Sequence, residues 1–341
     1  MDENKLIQTV TKSLNEEKGV SAENAAEIME LIMTGEVPKT QLASFLTALH
    51  TYGERADVIA ECSKIMQNYA KPVPIKNVID ICGTGGDGAD TFNVSTAASF
   101  VVAGAGARVA KHGNRAMSSK CGSADILEEL GANLDLDGKQ VAEIIERCGF
   151  GFLFAQKFHP AMKHVAGVRR ELGIPTIFNL LGPLTNPANP KGQLAGVGSK
   201  QIAPLMAEAF KLRNLERAMV VHSKDGLDEI SISAPTTVWK IEKDTITEEE
   251  IRPQDFGMET CPLEAVSGGS PKDNARTLQA VLAGKEGPVT DFVLLNSAAA
   301  CYVAGIVEQL EDGLIVAKKA ISSGKARKVA EDFIALTQEQ L

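Results

Sequence analysis

Residues 81–96 read ICGTGGDGADTFNVST. The apolar run Val78-Ile79-Asp80-Ile81-Cys82 leads into Gly83, Gly85, Gly86 and Gly88, and a helical pattern follows. Strand, glycine loop and helix in this order form the unit from which parallel α/β sheets are built. Glycines allow backbone torsions that point several N–H groups at one anion, and a helix start adds roughly 0.3–2 kcal/mol of attraction. Asn93, Ser95 and Thr96 add side-chain donors where the helix opens. A tight turn with an ordinary N-cap is the plainer alternative, but it accounts for one glycine and one serine only. The literal G-x-G-x-x-G match is weak, because the next strand ends in Lys111-His112 where a dinucleotide fold needs an acid for ribose. No Lys-Ser/Thr follows the glycines, which excludes a Walker A loop. Asp87, among the glycines, has three open roles: holding ribose hydroxyls, accepting loop N–H groups, or binding water on a divalent ion.

The next stretch, 108–131, repeats the strand–loop–helix logic with cationic residues. Lys111, His112, Arg115 and Lys120 bring positive charge, Gly113 and Gly122 allow close approach, and Ser118, Ser119 and Ser123 are donors. Loops after neighbouring parallel strands emerge on one edge of a sheet, so both loops are expected to face one cleft and grip a ligand with two phosphate groups. A solvated basic loop is the bland reading of the same residues.

Outward from these loops, the chain divides into helical and alternating regions. Leu6, Ile7, Val10 and Leu14, then Ala25, Ile28, Met29 and Ile32, recur at helical spacing. Pro38 opens a third helix with Leu42, Phe45, Leu46 and Leu49 on one face, and Val58, Cys62, Ile65 and Tyr69 mark a fourth. KPVPIK, 71–76, is a stiff connector. Strands are expected at 78–82, 107–112, 150–155, 194–197, 218–222 and 237–241, separated by helices at 95–104, 124–131, 138–148 and 201–214. The fold class is therefore α/β, a mostly parallel central sheet flanked by helices. A smaller all-helical domain over 1–72, joined by about 160–190, precedes an α/β domain over 73–341. From residue 270 on, two alanine-rich helices are expected.

Composition narrows the function classes. The chain has 341 residues and a formal net charge of −9, which disfavours broad attraction to nucleic acid or anionic membranes. Six scattered cysteines without a CxxC pair fit a reducing compartment. No signal-like segment opens the chain, and no apolar run approaches about 20 residues. A cytoplasmic protein is expected.

In order and spacing, GTGGD, NVST, KHGNR and GSAD, with VRRELGIPTIFNLLGPLTNP and HSKDGLDE further on, resemble the anthranilate phosphoribosyltransferase family over essentially the whole chain. The resemblance implies transfer of phosphoribose from phosphoribosyl pyrophosphate (PRPP) to anthranilate with Mg²⁺, in tryptophan biosynthesis. It implies PRPP contacts at Gly83, Gly86, Asp87, Thr91, Asn93, Val94, Ser95 and Thr96. Further PRPP contacts fall on Lys111, His112, Gly113, Asn114, Arg115, Ala116, Met117, Ser118, Ser119 and Ser123. Anthranilate would meet Gly83, His112, Asn114, His159, Met162, Arg169 and Pro183, and Mg²⁺ would meet Ser95, Asp228 and Glu229. No residue is expected as acid or base. A homodimer through the helical domain and association with a separate anthranilate synthase are the partners it adds. Cys121 departs from the family, which more often has serine there, at the cost of one donor.

Two of these assignments also have a reading from the residues themselves. Met162 and Arg169, seven apart, share a helix face, while Arg170 points about 80–100° away. One guanidinium on an apolar stripe suits an aromatic acid, although on the residues alone two solvated arginines on a surface helix are the simpler reading. Asp228-Glu229 are paired hard ligands of the kind Mg²⁺ takes beside a diphosphate, although adjacent acids also occur on plain loops. A nucleoside phosphorylase-like activity and a non-catalytic nucleic-acid binder are the rivals.

Overall fold

The computed structural model describes residues 3–16, 18–116 and 120–340. Its first four helices are α1 (Glu3–Asn15), α2 (Ala22–Thr34), α3 (Lys39–Tyr52) and α4 (Ala56–Asn68). Ser21 caps α2 by accepting the Asn24 N–H, and Gly35 ends it in the left-handed conformation.

Strand and helix then alternate: β1 (Ile79–Gly83), α5 (Val94–Gly104), β2 (Val109–Gly113), α6 (Ser123–Glu129), α7 (Gly138–Cys148) and β3 (Phe150–Phe154). The chain leaves the sheet through α8 (Ala155–Phe158), a 3₁₀ turn at Pro160–Met162, α9 (Lys163–Leu172) and α10 (Phe178–Leu181). It returns as β4 (Gly192–Gly196), α11 (Ala203–Leu212), β5 (Arg217–Ser223), β6 (Thr236–Glu242) and β7 (Thr245–Ile251). Helices α12 (Pro271–Leu282), α13 (Pro288–Val303), α14 (Leu310–Ser322) and α15 (Lys325–Glu339) close the chain.

The sheet runs β3-β2-β1-β4-β5-β6-β7. The first five strands pair in parallel, and β6 and β7 are antiparallel. The fold class matches the expectation, with one strand and four helices more. β7 carries Glu248-Glu249-Glu250 on an exposed edge, so it lacks the apolar alternation that marks a half-buried strand. The additional helices are α14 and α15 and the four-residue α8 and α10.

Both faces of the parallel strands are covered, as such sheets require. Leu194 and Met219 join the cluster formed with α5, α7 and α13–α15. Their neighbours Ala195 and Val220 face the opposite way, into the cluster of α1–α4, α9, α10 and α11. Strand order reverses between β1 and β4, the switch point at whose carboxyl edge open α/β sheets form their ligand crevice. The loops after β1, β2, β4 and β5 all reach that edge.

Candidate active site

The first loop takes its shape from glycine torsions. Gly85, Gly86 and Gly88 have φ of 67°, 83° and 70°, a region that side chains disfavour by about 1–2 kcal/mol. The loop is pinned from across the switch point. Thr84 donates its N–H to the Gly196 carbonyl at 2.9 Å, and Gly85 donates to Asp228 Oδ2 at 2.8 Å. A Cβ on Gly83 would lie 2.2 Å from Asp228 Oδ2. The end of β1 must therefore be bare for the carboxylate to dock.

Asp228 is buried, and Glu229 keeps partial contact with solvent. Burial, then the charge of Asp87, raises the Asp228 carboxyl to about 7. Burial and the charge of Asp228 push Glu229 well above the usual range, against the pull of Lys111. Three carboxylates in one crevice form a site short of positive charge. The backbone after the pair is clamped by Asn296, which accepts the Ile230 N–H at 3.0 Å and donates to the Ile230 carbonyl at 2.9 Å. Among the described residues, no three His, Cys, Asp or Glu side chains form a complete cage for a metal. This donor set suits Mg²⁺, which keeps its waters and shares substrate oxygens.

Lys111 is enclosed within the fold, 1% exposed. Its ammonium donates to the Ile81 carbonyl at 2.5 Å and to Ser95 Oγ at 3.2 Å. It thus sits beneath the start of α5, between the first loop and the acidic pair. The second loop is organised by Asp125, which accepts the Ala116 and Gly122 N–H groups at 2.9 and 2.8 Å.

Beside the loops, the His112 and His159 rings lie 5.0 Å apart. Burial lowers His112 to about 3, aided by His159, and lowers His159 to about 4. Both are neutral at pH 7. His112 Nδ1 donates to the Gly182 carbonyl at 3.2 Å, which leaves Nε2 as an acceptor. Among the described residues neither Nε2 has a partner. Buried Pro183 follows Gly182. Arg169 donates to Asn179 Oδ1 at 3.2 Å, with its guanidinium carbon 5.6 Å from the Phe178 ring centre. Burial lowers the Arg169 pKa, while Arg170 is exposed.

The helical-bundle profile of a glycosyl transferase family matches residues 6–70, and the a/b-domain profile of that family matches 75–327. Anthranilate phosphoribosyltransferase of Acetivibrio thermocellus is 44% identical over 97% of each chain. That of Thermomicrobium roseum is 50% identical over 89% of each chain. The chain belongs to the anthranilate phosphoribosyltransferase family. It is an enzyme of that glycosyltransferase group. Among solved anthranilate phosphoribosyltransferases, the Thermus thermophilus structure superposes with a TM-score of 0.91 at 42% identity, covering 96% of this chain and 99% of that one. The Saccharomyces cerevisiae enzyme in complex with PRPP and Mg has a TM-score of 0.91 at 33% identity, covering 98% of each chain.

Seen as an anthranilate phosphoribosyltransferase site, the expected residues fall into three groups. Gly83, Gly86, Asp87, Ser95, Lys111, Asp228 and Glu229 belong to the switch-point crevice, and His112, His159 and Pro183 cluster beside it. The side chain of Asn93 is occupied by protein, and the backbone of Thr91 is tied to a neighbouring segment. Thr91 bridges Ser267, and Asn93 bonds Cys121 and Asn274. Val94 and Thr96 are buried, and Thr96 Oγ1 has no partner among the described residues. Gly113 ends β2, and Ser123 opens α6.

Arg115 faces outward, pairing with Glu128 at 2.5 Å and lying 4.8 Å from the Phe154 ring centre. Asn114 accepts from Gln156 Nε2 at 3.3 Å. Met162 is half-buried in the 3₁₀ turn that precedes α9, not in the helix itself. The contacts of Arg169 are with the 178–179 segment and not with the histidines. Met117, Ser118 and Ser119 lie outside the described residues.

Sequence reasoning missed Asp80, Gln193, Asn296 and Asn274, all buried. Asp80 accepts the His112 N–H at 3.1 Å, and Gln193 donates to the Pro183 carbonyl at 2.6 Å. Their signal was present: Asp80 interrupts Val-Ile-Asp-Ile-Cys, and Asn296 interrupts Leu-Leu-Asn-Ser-Ala. A polar residue within an apolar run is buried and must be hydrogen-bonded.

Proposed function

We propose that the switch-point crevice transfers the 5-phosphoribosyl group of PRPP to the amine of anthranilate. The products are N-(5-phosphoribosyl)anthranilate and pyrophosphate, and the step is the second from chorismate to tryptophan. The observation that carries this reading is the meeting of the glycine loop, the Lys111 strand end and the Asp228-Glu229 pair at one edge.

In this reading the N–H groups of residues 85–88 and the start of α5 hold the phosphates, where backbone donors and the helix field already favour negative charge. Asp228, Glu229 and Ser95 would hold Mg²⁺, and their unbalanced negative charge fits it. Bound there, the ion would supply positive charge to neutralise the pyrophosphate leaving group. Lys111 keeps Ser95 in place. Neutral His112 accepts a hydrogen bond from the amine through Nε2 and so aims it at the sugar. The aniline nitrogen is uncharged at pH 7 and attacks through its free lone pair. The proton it sheds once the C–N bond has formed passes to the departing pyrophosphate or to water, with no side chain serving as acid or base. Arg169, held by Asn179, pairs with the anthranilate carboxylate, and Pro183 and Met162 form apolar walls.

Mixing the protein with anthranilate, PRPP and Mg²⁺ should quench anthranilate fluorescence with equal release of pyrophosphate. Unchanged fluorescence at saturating PRPP would overturn the assignment.

The assembly is a homodimer through the helical region. A groove of about 480 Å³ between α1 and α3, lined by Ile7, Thr11 and Gln41, supports that face, and light scattering at the monomer mass of 36.2 kDa would refute it. Six unpaired cysteines support a cytoplasmic site of action. Association with anthranilate synthase rests on the sequence resemblance, and co-elution tests it.

A further inference from the structure

Asn274 lies in the first turn of α12, remote in sequence from both loops, and is 3% exposed. Its Oδ1 accepts the Gly269 N–H at 2.7 Å, and its Nδ2 donates to Asn93 Oδ1 at 2.9 Å. Asn93 then donates from Nδ2 to the Cys121 carbonyl at 2.9 Å. Asn93 ends the first loop and Cys121 belongs to the second.

The direction of this chain is set at both ends. A backbone N–H only donates and a carbonyl only accepts. The Gly269 N–H therefore turns the oxygen of Asn274 toward itself. The nitrogen of Asn274 then turns the oxygen of Asn93 toward α12, and the nitrogen of Asn93 is left facing Cys121. The segment before α12 is laid along the first loop: Phe92 donates to the Val266 carbonyl at 2.9 Å and Gly268 to the Asp90 carbonyl at 2.8 Å. Thr91 pairs with Ser267 in an antiparallel bridge.

We infer that Asn274 is a positioning residue for the phosphoribosyl donor: through Asn93 it fixes the spacing and orientation of the two phosphate loops. This rests on the reading of the crevice as the PRPP site. Asn274 touches neither substrate nor metal in this role. Its effect is carried by the polarity of the amide chain.

Asn274→Asp tests that polarity at nearly constant volume. A carboxylate still accepts from Gly269 but cannot donate to Asn93. Asn93 must then turn its nitrogen toward α12 and release Cys121. The PRPP KM should rise about three- to tenfold, the factor of one net hydrogen bond, with the anthranilate KM at saturating PRPP within about twofold of wild type. The rise in melting temperature given by PRPP with Mg²⁺ should shrink in parallel. Asn274→Ser, too short to span both partners, supplies the same comparison if the aspartate variant does not fold.

A lower melting temperature with wild-type PRPP KM in a folded variant would make Asn274 purely structural and overturn the inference. Equal rises in both KM values would overturn it too. If wild-type protein gains no thermal shift from PRPP with Mg²⁺, the underlying reading of the crevice fails, and the inference falls with it.

Discussion

Replacing Asp228 with asparagine takes one charge out of the crevice shared with Asp87 and Glu229 and leaves the side chain's shape unchanged. The amide oxygen can still accept the Gly85 N–H, and its nitrogen can donate toward Asp87. In the wild type the carboxyl is raised from 3.8 to about 7. A raised carboxyl means that the folded protein binds the proton more tightly than the unfolded chain. Stability is then lost as pH rises from about 4 through 7, and the loss is complete above 7.

A shift of about three pH units at about 1.4 kcal/mol each sets a ceiling near 4 kcal/mol. Water reaching the partly exposed Glu229 lowers this, to about 2–4 kcal/mol in all. With an unfolding entropy of ~2.1 cal/mol/K per residue over 341 residues, that corresponds to roughly 3–6 °C. The assay is thermal melting of wild type and Asp228→Asn in chelator at pH 4.5 and pH 8, then in Mg²⁺. The variant should be the more stable protein at pH 8 without metal, with little difference at pH 4.5. Mg²⁺ should raise the wild-type melting temperature and leave the variant nearly unmoved, and turnover at ordinary Mg²⁺ should collapse. A variant that melts below wild type at pH 8 in chelator, or that responds equally to Mg²⁺, would refute the charge-crowding account.

Four further outcomes follow from the geometry. Arg169→Ala removes a charge-assisted contact worth about 1.5–3 kcal/mol, so the anthranilate KM should rise roughly 10- to 100-fold with a much smaller change for PRPP; steady-state kinetics in both substrates checks it, and a PRPP-dominated defect would misplace the guanidinium. Gly83→Ala drives a methyl into Asp228, 2.2 Å away, and should shift the Mg²⁺ titration of activity to higher concentrations. Gly86→Ala meets no atom within 4 Å and bears only the cost of a φ of 83°, so it should weaken PRPP with little change in that titration. His159, held down to about 4 against 6.5 unfolded, resists protonation that the unfolded chain accepts. Stability is therefore lost as pH falls below 6.5, by up to about 1.4 kcal/mol per pH unit. His159→Asn should lose less stability than wild type between pH 6.5 and 4.5 in denaturant melts; parallel losses would place the acid sensitivity elsewhere.

Much of this molecule is local and could be read along the chain. The glycine loop, the basic second loop and the Asp228-Glu229 pair announced themselves because each places unusual residue types within a few positions. The strands before them are apolar runs with clear ends. β7 escaped notice because three consecutive glutamates, two of them exposed at the sheet edge, break the apolar alternation of a strand. Arg115 looked like a ligand for phosphate, but the fold pairs it with Glu128, thirteen residues on. Lys111 looked like a free cation of the loop, but the strand carries its side chain inward to Ser95 and the Ile81 carbonyl.

By itself the sequence determined most of the strands and helices and where glycine and charge gather between them, since periodicity, glycine and charge act within one or two turns of chain. The tertiary structure decided the rest: that β1 and β4 are neighbours, that a carboxylate from the loop after β5 docks on Gly83 and Gly85, and that α12 reaches back to hold Asn93. Those contacts join residues more than a hundred positions apart, and only packing determines which buried polar groups meet.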